Sequence, residues 1–246
     1  MELIFVKDYD EMSQVAFDII KETIDAKPDA TISMTTGGSP RGLFALMVQA
    51  IHAGELDLSK TTFLNLDEYI GPKDDPYTVH RFMHEHLYDL IENKPQNIYL
   101  IEGDTKDVKG ELKRYGQILK DNPRDVQILG LGTNGHVGAN EPGTPFDSTL
   151  FLADHHESTI QSTMEGFNIT REQAPDQMIT LGFQEILAAK VAVLMVSGKK
   201  KAEAVKHILE GEVSTTWPAS YLRDKDNVVM IIDEDAASLL SLKQTD

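Results

Sequence analysis

Strand-like and helix-like segments alternate along most of the chain, and this order restricts the fold more than any other property of the sequence. Glu2–Val6 is β-prone, and Asp8–Lys27 sets Met12, Val15, Ile19, Ile20 and Ile24 at a helical spacing before stopping at Pro28. Ala30–Thr35 reads as a strand and Pro40–Ala53 as an amphipathic helix with Gly54 just past its end. Further strands are expected at Thr61–Leu66, Ile98–Ile101, Val126–Leu131, Val191–Ser197 and Val228–Ile232. Helices are expected at Val79–Glu92, Val108–Lys120, Phe183–Ala189, Lys200–Leu209 and Glu234–Leu242. Such an order implies right-handed crossovers, hence an α/β fold with a mainly parallel sheet and helices on both faces. No repeat or low-complexity linker interrupts it, so residues 1–246 are expected to form one domain.

Composition then removes whole classes of function. With 41% hydrophobic and 26% charged residues, the chain is not broadly disordered. Its apolar runs, Val191–Val196 and Val228–Ile232, are too short to cross a bilayer, and Met1–Asp8 lacks the basic-then-apolar layout of a signal peptide. The absence of cysteine excludes disulfides, thiolate metal sites and cysteine nucleophiles. A cytoplasmic location is the expectation. Forty acidic against 23 basic residues, a net charge of −17, argue against nucleic acid or an anionic membrane as the main partner. An anionic substrate would therefore need a local binding device.

Ligands in parallel sheets bind beyond the carboxyl ends of the strands, which directs attention to the loops after Thr35, Leu66 and Leu131. The first, Thr35-Thr36-Gly37-Gly38-Ser39-Pro40, offers backbone that can approach closely, several hydroxyls and a following helix N-terminus. That combination suits a phosphate, or equally an ordinary strand-to-helix turn. It is neither a Walker A loop nor a dinucleotide fingerprint. The second loop opens with Asp67 and Glu68, placed for proton transfer if burial raises one carboxyl toward neutral pH. The third, Gly132 to Gly143, gathers Asn134, His136 and Glu141 among four glycines, so a histidine near neutral pKa has a carboxylate to orient it. His80 and His84 share a helical face, yet no Glu of an H-E-x-x-H motif accompanies them, and His155-His156 is equally unsupported as a metal site. Lys199–Lys201 opens a helix, as a solvated face or with one lysine turned to substrate. The stretch from Gly143 to Gly166 has little periodic signal and is a candidate lid.

Together, Thr-Gly-Gly-Ser-Pro (36–40), Asn-Leu-Asp-Glu-Tyr (65–69), Asn-Gly-His (134–136), Asn-Glu-Pro-Gly (140–143), Gly198 with Lys201-Ala202, and Trp-Pro-Ala-Ser (217–220) resemble the glucosamine-6-phosphate deaminase family, within the group that includes 6-phosphogluconolactonases. The resemblance implies a modified Rossmann-like three-layer α/β sandwich and conversion of an amino-sugar 6-phosphate to a ketose 6-phosphate plus ammonia. It implies Asp67 as the base between C2 and C1, His136 oriented by Glu141 for ring opening, and Thr36 to Ser39 for the phosphate. Thr35, Arg41 and Lys201 join the phosphate set, with Asn134 and Glu68 beside the catalytic groups. No metal or organic cofactor is implied, and the substrate is the expected partner; the family accommodates monomers and homo-oligomers. Alternatives, in order, are a galactosamine-6-phosphate or other phosphosugar isomerase, a lactonase-like hydrolase, and a non-catalytic sugar-phosphate sensor. Several positions depart from the family pattern: Asn134 stands where Asp is usual, Ala139 where Phe is usual, and Glu165 and Asp176 where basic residues clamp the phosphate. Arg41 and Arg171 are the candidate replacements.

Overall fold

The computed structural model describes residues 1–241. Ten strands alternate with seven α-helices among them: β1 (Glu2–Val6), α1 (Tyr9–Ala26), β2 (Thr31–Met34), α2 (Arg41–His52), β3 (Thr62–Asn65), β4 (Asp67–Tyr69), α3 (Val79–His86), β5 (Asn97–Tyr99), α4 (Val108–Asp121), β6 (Val126–Gly130), β7 (Phe151–Asp154), α5 (Glu157–Phe167), β8 (Gln177–Thr180), α6 (Phe183–Leu187), β9 (Val191–Val196), α7 (Ala202–Glu210) and β10 (Val228–Asp233). The local reasons are plain in α1. Asp8 caps it by accepting from the Glu11 amide, and Met12, Ala16, Phe17, Ile20 and Ile24 form its buried stripe.

Seven strands form one sheet in the order β1-β10-β9-β6-β2-β3-β5, and every pairing in it is parallel. One face carries Met12 of α1, Phe44 of α2 and Phe82 of α3 in a single apolar core. The other carries Tyr115 of α4, Phe183 of α6 and Val205 of α7 in a second core. The result is the expected three-layer α/β sandwich. The chain runs outward from β2 through β3 to β5, then returns to place β6 on the other side of β2. The loops after β2 and β6 therefore diverge across a crevice at this reversal, the usual ligand position in an open parallel sheet.

Three features depart from the sequence expectations. First, β4, β8 and β7 make a separate antiparallel sheet, in a region where no regular structure was legible. The chain leaves the main sheet at Leu66, whose amide still bonds to Met34, and starts the second sheet at the next residue. Second, the helix expected over Val79–Glu92 ends at His86; Leu87 turns out of helical backbone, and a 3-10 turn over Tyr88–Leu90 lets Leu87, Tyr88 and Ile91 all be buried. Third, Glu234–Leu242 is not a helix: residues 234–239 form successive turns, with Asp233 accepting from the Ala236 amide at their start. Leu242 itself lies outside the described residues.

Candidate active site

A cavity of about 530 Å³ opens at the crevice, walled by the loops after β2 and β6, by β4, and by α5. Alternation along β4 sends its two carboxylates to opposite sides. Asp67 lines the cavity, paired across the small sheet with Thr180, and is 6% exposed. Burial pushes its carboxyl up to about 7. Glu68 faces away. It accepts from the amides of Tyr69, Val79 and His80 at 2.9, 2.8 and 2.7 Å, holding the first turn of α3 against β4. Burial pushes its carboxyl up to about 8, while those amides pull the other way. Glu68 therefore lies behind Asp67, outside the cavity wall.

The loop after β6 brings Asn134, His136 and Glu141 together. The His136 Nδ1 lies 3.3 Å from the Glu141 carboxylate, close but not aligned as a hydrogen bond. Asn134 donates its side-chain amide to the same Glu141 oxygen at 2.8 Å and accepts from the His136 amide at 3.2 Å. Thr159 of α5 donates to the other Glu141 oxygen. Burial alone would raise the Glu141 carboxyl, but His136, Thr159 and Asn134 outweigh it and bring the group down to about 2. Glu141 is thus a fixed negative charge behind the imidazole. Two glycines make this packing feasible: a Cβ on Gly132 would sit 2.4 Å from the His136 ring, and Gly135 (φ +83°) lies so close to Trp217 that a Cβ would sit 2.9 Å from its indole. Trp217 in turn stacks on His207, ring centroids 4.2 Å apart.

Thr35 to Ser39 line the opposite wall, with Gly37 in the left-handed region at φ +97°. Arg41, the first residue of α2, reaches the cavity over the Phe82 ring, and Lys201 enters from the end of a 3-10 turn over Lys199–Lys201. Burial and the neighbouring Lys200 lower the Lys201 pKa. The Asp233 carboxylate accepts from the Gly198 amide at 3.0 Å and fixes the turn that carries Lys201. Of the sequence candidates, then, Asp67, His136, Asn134, Thr35 to Ser39, Arg41 and Lys201 line one cavity, with Glu141 immediately behind and Glu68 outside.

Glu165 and Asp176 do not line the cavity. Glu165 accepts from Gln161 on the outer face of α5, and Asp176 pairs with Arg171 at 2.6 Å on the surface, so Arg171 does not replace a clamp residue either. The polar side chains of α5 that line the cavity are Ser158, Thr159, Ser162 and Thr163, with Phe167 at the helix end. Neither they nor Tyr77, which also lines the cavity, were singled out from sequence; Tyr69, noted there as part of the 65–69 motif, and His155, weighed there solely as a metal ligand, line it too. The spacing of four between Ser158 and Ser162, and between Thr159 and Thr163, was the available signal for one polar helix face. Ala139, buried under the loop, is likewise not part of the lining. The His80 and His84 rings lie against each other at a tilt, away from this cavity, and no group of three or more acidic or histidine side chains able to hold a metal ion occurs among the described residues.

Comparison with known proteins agrees with this geometry. Residues 9–231 match the family model described as glucosamine-6-phosphate isomerases/6-phosphogluconolactonase. The chain is 43% identical to a glucosamine-6-phosphate deaminase of Lactobacillus delbrueckii subsp. bulgaricus, over 98% of this chain and 100% of the relative. It is 38% identical to glucosamine-6-phosphate deaminase 1 of Bacillus subtilis, over 97% and 99%. Among solved structures, a monomeric glucosamine-6-phosphate deaminase superposes with a TM-score of 0.93 at 38% identity, covering 98% of this chain and 100% of that one. A 6-phosphogluconolactonase from Trypanosoma brucei, at 19% identity and a TM-score of 0.78 over 98% of each chain, shares the fold. The chain belongs to the family of glucosamine-6-phosphate isomerases and 6-phosphogluconolactonases.

Proposed function

We propose that this chain is an aldose–ketose isomerase and deaminase that converts glucosamine 6-phosphate and water to fructose 6-phosphate and ammonia. The observation that carries the reading is a buried Asp67 carboxyl, pushed up to about 7, in the same cavity as the His136–Glu141 pair and a hydroxyl-rich loop at a helix N-terminus. A base with a pKa near the working pH is suited to moving a proton between adjacent carbons. In the opened sugar, Asp67 takes the C2 proton and an enolamine forms. Returning the proton to C1 leaves an imine at C2, which water hydrolyses to the ketone and ammonia. His136, with the Glu141 carboxylate against its Nδ1, moves the proton that ring opening requires.

The sugar phosphate is held by Thr36 to Ser39, with Lys201 and Arg41 supplying positive charge in a chain whose net charge is −17. The relatives named as glucosamine-6-phosphate deaminases over their whole lengths support this substrate. We further infer a role in cytoplasmic amino-sugar catabolism, with residues 1–246 acting as one domain; no helix among the described residues is long and apolar enough to cross a membrane. The test is ammonia release from glucosamine 6-phosphate by the purified protein. Release by the wild type that disappears in a folded Asp67→Asn variant is the expected result. A folded wild type that releases none refutes it.

A further inference from the structure

The loop that would bind phosphate does not hold itself in place. Gly37 and Gly38 at its centre have no side chains, and a Cβ built on either would meet nothing within 4 Å. A residue from the start of α1 reaches across to it. The Tyr9 hydroxyl donates to the Gly38 carbonyl at 2.8 Å and accepts from the Gly42 amide at 2.8 Å, so one oxygen ties the loop to the first turn of α2. Because the Gly42 amide supplies the proton on one side, the phenol's own proton is committed to Gly38. Beside the bridge, α1 and α2 pack so closely that a Cβ on Gly42 would sit 2.3 Å from the Ser13 hydroxyl, which makes no hydrogen bond of its own with the Tyr9 hydroxyl and donates within α1 to a backbone carbonyl.

We infer that Tyr9 is a positioning residue for phosphate binding, orienting the 36–39 loop through its hydroxyl bridge between Gly38 and Gly42. The peptide linking Gly38 to Ser39 is planar and trans, so its carbonyl and amide point in opposite directions. Drawing the Gly38 carbonyl to Tyr9 fixes the orientation of this peptide, and with it the amide of Ser39, a residue that lines the cavity. Without the hydroxyl, that peptide is free to rotate, and a donor that was fixed before binding must be ordered during it. The effect is on affinity for the phosphate, since Asp67 lies on β4 and His136 on the loop after β6.

The inference rests on the phosphate-binding part of the proposed function, and its test does not require turnover. Binding of inorganic phosphate to the intact protein is measured by calorimetry for the wild type, Tyr9→Phe and Ser13→Ala. Tyr9→Phe keeps the ring and loses only the bridge; its phosphate dissociation constant is expected to rise about tenfold. Ser13→Ala loosens α1 without touching the bridge and is expected to bind as the wild type does. If the wild type also turns over glucosamine 6-phosphate, KM rises about tenfold in Tyr9→Phe with kcat within about twofold. Wild-type phosphate affinity in Tyr9→Phe overturns the inference, as does equal weakening in Ser13→Ala, which would mark a general effect of α1. A wild type that binds no phosphate overturns it as well. Phosphate binding lost in Tyr9→Phe alone, with no ammonia released by the wild type, sustains the tether and rejects the reaction instead.

Discussion

Replacing Asp67 with Asn is expected to abolish isomerisation and, at neutral pH, to make the protein more stable. The group's usual value is 3.8, and burial pushes it up to about 7 in the fold. Between those limits the folded protein retains a proton that the unfolded chain has released, so this group's contribution to stability is complete below about pH 4 and is lost as pH rises to about 7. At about 1.4 kcal/mol for each factor of ten, the full interval amounts to about 4 kcal/mol, and water in the open cavity reduces this to about 2–4 kcal/mol. Asn matches the protonated acid in shape and has no proton to lose. The two proteins should therefore unfold at similar urea concentrations near pH 4, diverge between pH 4 and 7, and stay apart above it. Urea titrations at pH 4, 5.5, 7 and 8, with unchanged slopes, measure the gap. Parallel curves at all four pH values would refute the reasoning, because the Asp67 carboxyl would then ionise as easily in the fold as in the unfolded chain.

Glu141→Gln removes the fixed charge behind His136 while keeping a group that Asn134 and Thr159 can contact; kcat should fall roughly 10²-fold, with phosphate affinity unchanged by calorimetry. The pH–rate profile should show an acid limb near 7 from Asp67 and none attributable to Glu141, whose pKa is about 2. Lys201→Ala should weaken inorganic phosphate binding about tenfold or more, and because burial and Lys200 lower the Lys201 pKa, wild-type phosphate affinity should begin to fall at a pH below that of an ordinary lysine. Asp125 sits at the opposite end of the sheet, 5% exposed, between Lys27 and Lys190 at 2.7 Å each, and accepts from the Thr31 amide. Asp125→Ala should cost about 1–2 kcal/mol in urea unfolding, since the two lysines it leaves are solvent-exposed, and leave KM unchanged. Burial raises the Asp125 carboxyl, but its hydrogen bonds to Lys190, Lys27 and Thr31 outweigh burial and depress it. Its contribution is therefore present above about pH 4 and disappears as pH falls through the depressed value.

The main sheet was legible because each of its strands is short, apolar and separated from the next by a helix with a clear stripe. β4 was not. Asp67, Glu68 and Tyr69 look like a loop beyond a strand, and only the antiparallel partner β8, more than a hundred residues away, makes them a strand. α5 hid for a related reason: the sequence Glu-Ser-Thr-Ile-Gln-Ser-Thr-Met-Glu-Gly-Phe is rich in residues with weak helix preference, and just Ile160 and Thr163 are buried. The individual chemistry of Asp67, His136 and Glu141 was readable from position after a strand. The direction of Glu68 depended on the strand nobody could see in the sequence, and the harmlessness of Glu165 depended on which face of α5 it occupies.

Trp217 is the sole tryptophan in the chain, and it lies against Gly135, at the turn that carries Asn134 and His136. The molecule therefore contains its own optical gauge. All indole emission comes from one ring, stacked on an imidazole and close against the loop that carries His136. Ordering of that loop by a bound sugar can be followed as an intensity change in unlabelled protein, on the millisecond scale of a stopped-flow instrument. Binding and chemistry can then be timed separately in the same cuvette.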